Sequence, residues 1–159
     1  MALGILGGCV FFGGNDTIRE AHISLKNGGG PMASFMEAEA HLGAAVRNLE
    51  EAERLTDPAD KDVTYKSAFD HPFDAARHSA LVHLHRGYTR RSGIGRDLPW
   101  PYDDNFKAMS TTLYIQYAYD GNYPRDTRLT RSEDEDWYNK VSRFINDLRE
   151  RVREREQDP

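Results

Sequence analysis

Residues 33–55 read ASFMEAEAHLGAAVRNLEEAERL. Phe35, Ala38, Leu42, Ala45, Leu49 and Ala52 follow one another at intervals of three and four, which places them on one face of an α-helix. Ser34 followed by Glu37 is a capping-box pattern at its start, and Thr56-Asp57-Pro58 ends it. A face so rich in alanine lets a partner helix approach closely, so this stretch reads as one member of a packed helical assembly.

Working outward, the same period returns three times. From Lys61 to Tyr88 the apolar face is Phe69, Phe73, Ala76, Ala80 and Leu84, with Leu81 and Tyr88 at its margin. Pro72 falls inside this segment, where a proline costs ~3 kcal/mol. A break is therefore expected near Asp70-His71, with Pro72 in the first turn of a new helix. Residues 87–101 (GYTRRSGIGRDLPWP) carry glycines and prolines that predict a loop. A third helix is expected from Asp103 or Asp104 to about Tyr119, with Phe106, Met109, Leu113 and Tyr117 inward. After the turn cluster Asp120-Gly121-Asn122-Tyr123-Pro124, a fourth helix is expected to begin near Ser132. There Ser132 and Glu135 form a second capping box, and Glu133 to Asp136 suit the positive end of the helix dipole. Trp137, Val141, Phe144, Leu148 and Val152 make its buried stripe. No window alternates at period two, so no sheet is predicted. The expected fold is all-α, an up-and-down bundle of about four helices with the second interrupted near Pro72.

The organisation follows from length and composition. The chain has 159 residues, one domain's worth, and eight of its 13 glycines lie in residues 1–31. Such density opposes a packed helix or strand. Residues 1–31 are expected to be a disordered tail or a non-native leader, with Met32 as the natural start, since Gly28-Gly29-Gly30 can be encoded by a purine-rich ribosome-binding site. Residues 32–159 form the single helical domain. The lone Cys9 excludes an internal disulfide framework and a cysteine-based zinc site. No run reaches the ~18 apolar residues of a membrane span, so no membrane association is expected and the expected location is cytoplasmic. Net charge is −5, and mean hydropathy is −0.75. Bulk attraction to nucleic acid is excluded, and binding of that kind requires a local basic patch.

Two constellations offer chemistry. Arg86, Arg90, Arg91 and Arg96 are the one dense positive stretch, flanked by Tyr88 and Trp100. Guanidinium groups bind phosphate bidentately and aromatic rings stack on bases; the alternative is a solvated loop whose arginines pair with neighbouring acidic side chains. The second constellation is His71, Asp74 and His78, at i, i+3 and i+7, with His41 from the first helix. These are zinc- or iron-ligating types. The register break expected at Pro72 and the lack of Glu-x-x-His pairs set a metal aside, and no metal is expected. There is no P-loop, GxGxxG or Gly-x-Ser-x-Gly elbow, and no cofactor is expected.

Arg77-His78-Ser79-Ala80-Leu81-Val82-His83 resembles the Arg-x4–6-His motif of HEPN domains (higher eukaryotes and prokaryotes nucleotide-binding). The later part of the chain is similar to the same family: a Tyr-rich helix (Leu113-Tyr114-Ile115-Gln116-Tyr117), then Asn122-Tyr123-Pro124, then a capped final helix. The resemblance implies a homodimer acting on RNA or nucleotides. In active members it implies a metal-independent ribonuclease of a toxin–antitoxin or defence system, with a nucleotidyltransferase-type partner. By that resemblance Arg77 holds the scissile phosphate, His83 is the general acid/base and His78 occupies the polar second position; Arg86, Arg90 and Arg91 of the basic stretch are the candidate phosphate-binding residues beside them. Residues six apart on a helix stand 120° from a common face, so Arg77 and His83 converge only across a dimer seam or at a helix irregularity. The alternative is a non-catalytic helical protein-interaction module.

Overall fold

A computed structural model describes residues 34–87 and 89–158. The described residues form one compact unit. Five α-helices make it up: α1 (Phe35–Arg54), α2 (Pro58–His83), α3 (Arg91–Asp97), α4 (Tyr102–Met109) and α5 (Thr127–Gln157). From Ser110 to Tyr119, α4 runs on as a π-helical segment, π1. There is no strand among the described residues, and the architecture is an all-α bundle.

α1 forms as its spacing requires. Glu37 N–H donates to Ser34 Oγ at 3.1 Å and Ser34 N–H to Glu37 Oε2 at 3.0 Å, the two bonds of a capping box. Ala38, Leu42, Ala45, Leu49 and Ala52 are buried. Glu37 meets His78, His41 meets His71 and Asn48 meets Ser67. Numbers rise on α1 as they fall on α2, so the two form an antiparallel hairpin.

α2 departs from expectation in two ways. It is one helix of 26 residues with Pro72 inside it, not two segments. Tyr65, Ala68 and Phe69 are buried before the proline, and Phe73, Ala75 and Ala76 after it. α2 packs against α1, α5 and π1 together. Burying Phe69 and Phe73 alone is worth ~1.5–3 kcal/mol each, enough to outweigh the local cost of the proline. The helix also stops at His83, short of Tyr88, which lies outside the described residues. His85 adopts φ 51°. Arg86 N–H bonds Leu81 C=O at 3.0 Å and His85 N–H bonds Val82 C=O at 3.1 Å. This is a Schellman termination with histidine where glycine is usual.

The stretch expected as a loop contains α3. Ile94 and Leu98 are buried and anchor it. A Cβ on Gly95 would lie 3.3 Å from Lys107 Cγ and 3.6 Å from the Phe106 ring, so α3 lies close on α4 here and a larger residue would displace the Lys107 side chain by a few tenths of an ångström. The expected third helix is α4 plus π1, and its stripe of Phe106, Met109, Leu113 and Tyr117 is buried as predicted. Gly121, at φ 68°, closes π1 in a conformation that glycine adopts without strain.

The last helix starts earlier than Ser132. Asp126 caps it, its Oδ1 accepting from Arg128 N–H at 2.9 Å and Leu129 N–H at 3.3 Å. The Ser132–Glu135 pattern is therefore helix interior. Trp137, Val141, Phe144, Leu148 and Val152 are buried as expected. Arg131 pairs with Glu53, and Arg149 with Glu39, so α5 also runs antiparallel to α1. No helix among the described residues is long and apolar enough to cross a membrane.

Candidate functional site

An open cleft of about 780 Å³ forms where α3, α4 and π1 meet α2. Arg77 reaches it from α2, Arg90 and Arg91 from the start of α3, Arg96 from its last turn, and Lys107 from α4. Among the described residues these five cations line the cleft and no carboxylate does. The rest of the wall is Ser92, Gly95, Phe106, Ser110, Thr111 and Tyr114.

Arg91 is the most constrained cation. Its guanidinium carbon lies 4.0 Å from the centroid of the Tyr114 ring, and Nη1 donates to Ser110 Oγ at 3.1 Å. Stacking on the ring holds the guanidinium plane, while its remaining N–H groups can still donate. Arg90 is exposed and makes no ion pair among the described residues. Arg77 pairs with Asp74 at 2.7 Å, Arg96 with Asp97 at 3.0 Å, and Lys107 with Asp103 at 2.9 Å. Those three partnerships hold the side chains in place and partly cancel their charge. The Asp97 carboxyl sits below the usual range, through the hydrogen bonds of Arg96 and then Arg86. Hydroxyls from three neighbouring positions and an aromatic face complete a surface suited to a phosphate with a planar group beside it.

The sequence-predicted residues divide. Arg77, Arg90 and Arg91 come together in the cleft, although they belong to two helices. Arg86 does not join them; it turns to Asp97. His78 lies on the α1 side of α2, its ring stacked on His41 at 5.1 Å and its Nδ1 3.4 Å from Glu37 Oε2. His83 is only 8% exposed and faces α5. Arg155 Nη2 donates to His83 C=O at 2.9 Å and lies 3.3 Å from His83 Nδ1. With Nδ1 as the acceptor, the tautomer assigned by this network carries its proton on Nε2. Burial, and then the Arg155 charge, push the His83 imidazole below its ordinary value. Within one chain, Arg77 and His83 face different neighbours, as their 120° separation requires. Trp100 is 80% exposed and does not line the cleft.

Sequence reasoning missed Lys107, Ser110 and Tyr114. Ser110 and Tyr114 were read only as part of a helix with an inward stripe. On the helix Ser110 and Tyr114 stand at the edge of the inward stripe of Leu113 and Tyr117, so spacing alone does not single them out. Compared with family models, curated proteins and solved structures, the chain matches none.

Proposed function

We propose that this chain is a HEPN-like helical module that binds the phosphates of RNA or a nucleotide in the basic cleft. The observation that carries the reading is a wall lined, among the described residues, by five cations, of which Arg77, Arg96 and Lys107 pair with aspartates outside the lining, with Arg91 fixed against Tyr114. On a protein of net charge −5, that patch supplies the local attraction that the chain as a whole does not. His83, buried beside Arg155, supports binding rather than cleavage in a single chain. A homodimer and a nucleotidyltransferase-type partner belong to the same proposal on the strength of the resemblance alone.

The test is fluorescence anisotropy of a labelled single-stranded RNA titrated with the full chain at several salt concentrations. Binding should weaken as salt rises. Arg90→Ala and Arg91→Ala should each lower the slope of log affinity against log salt by about 0.7, the single-strand value for one lost phosphate contact. Arg91→Lys should rescue poorly, because an ammonium has neither the planar fork nor the stacking face. A double variant that binds as wild type would refute the assignment. Cleavage of the same RNA in EDTA, lost in His83→Ala, would instead establish the ribonuclease reading.

A further inference from the structure

The face of α2 that meets α1 holds a second cluster, none of whose three members lines the cleft, although Asp74 pairs with the cleft residue Arg77. His41 Nδ1 and His71 Nδ1 are 3.0 Å apart. One ligand-type atom each from His41, His71 and Asp74 all lie within 4.8 Å of one another, and the three residues are half-buried. His71 and Asp74 are three apart on α2 and so share a face. They do so here because Pro72, between them, does not interrupt the helix. The register break that argued against a metal is thus absent.

We propose that His41, His71 and Asp74 form a binding site for a divalent transition-metal ion of the zinc type. Two nitrogens bound to zinc at ~2.0–2.1 Å in tetrahedral geometry stand about 3.3 Å apart. The observed nitrogen pair needs only a few tenths of an ångström to match. A metal ion would take the place of the hydrogen bond between the two rings. Asp74 already accepts from Arg77 through Oδ1 at 2.7 Å. A carboxylate has about four lone-pair positions, so it can bind a metal while Arg77 orients it, the usual outer-shell arrangement. His78, stacked on His41 at 5.1 Å, limits the tilt of that ring. Two imidazoles and one carboxylate form a donor set for borderline divalent ions, with the fourth position left to solvent.

The experiment is isothermal titration of zinc chloride into the full chain after removal of metal with a chelator, near pH 7.5. One site is expected. His41→Ala, His71→Ala and Asp74→Asn should each weaken binding by at least ~tenfold, with circular dichroism reporting that each remains helical. His85→Ala, at an exposed position just past the end of α2, should titrate as wild type. Cobalt(II) added to the wild-type chain provides a readout that needs no variant. Visible d–d bands of a low-coordinate nitrogen and oxygen site are expected, without a thiolate charge-transfer band. No zinc binding to wild type, binding by His41→Ala and His71→Ala as tight as that of wild type, or a thiolate band pointing to Cys9 would each overturn the proposal.

Discussion

Asp134 is 2% exposed on α5, and its Oδ1 has no hydrogen-bond partner among the described residues. Burial pushes its carboxyl up to about 7, the nearby Glu135 charge adds to the rise, and Arg131 opposes it. Each tenfold in proton affinity is worth 1.36 kcal/mol. A rise from the ordinary 3.8 to that value therefore corresponds to about 2–4 kcal/mol once relaxation of the site is allowed for. The folded state holds this proton more tightly than the unfolded chain. Its stabilising effect is complete below pH 3.8 and is lost as pH rises towards about 7. Asparagine is close in shape to the protonated carboxyl and does not titrate. Asp134→Asn should therefore match wild type near pH 4 and exceed it by about 2–4 kcal/mol at pH 8. Urea denaturation of both proteins at the two pH values measures this, provided that the slopes agree. Taking the difference between the proteins removes the contributions of the other titrating groups. If the gap does not grow with pH, or if the variant is the less stable at pH 8, Asp134 is not the buried, unpartnered acid described above.

Two further stability outcomes follow from the packing. Phe144 is 3% exposed, its ring 6.1 Å from that of Tyr102 in an edge-on arrangement; Phe144→Ala should cost about 3–5 kcal/mol in chemical denaturation, and a loss below ~1 kcal/mol would mean the site collapses freely. Tyr123 Oη donates to Asp62 Oδ1 at 2.5 Å, which also accepts from Arg125 at 2.9 Å. Tyr123→Phe should cost about 1.5 kcal/mol at neutral pH, typical of a hydrogen bond to a charged group. That bond is also the main reason the Asp62 carboxyl lies below 3.8. The deficit of the variant should therefore shrink as pH falls through and below that value, which denaturation at pH 3 and pH 7 would show.

The helical class and the inward faces were legible in the sequence because helical periodicity is local. Ala38, Leu42, Ala45, Leu49 and Ala52 repeat at the pitch of the helix, and all five are buried. The Ser34–Glu37 capping box is local in the same sense, since both partners lie within one turn. Local rules failed where two of them competed. Ser132–Glu135 matches the capping pattern as well as Ser34–Glu37 does, but Asp126 caps α5 first. Pro72 carries a helix-breaking cost set by its own ring, whereas the burial that overrides it comes from three other elements packed on α2.

Arg77, Arg91 and Lys107 were each visible as cations, but no spacing relates them. At Gly95 α3 lies close on α4, and the turn of π1 presents Ser110 and Tyr114 to Arg91. The pairing of His41 with His71 likewise spans 30 residues and depends on the register of the antiparallel hairpin. Sequence determined by itself what repeats within a helix, because neighbours along a helix are fixed by its pitch. Only the tertiary structure decided which cations share a cleft and which imidazoles lie within hydrogen-bond reach, because those distances are set by how whole helices pack.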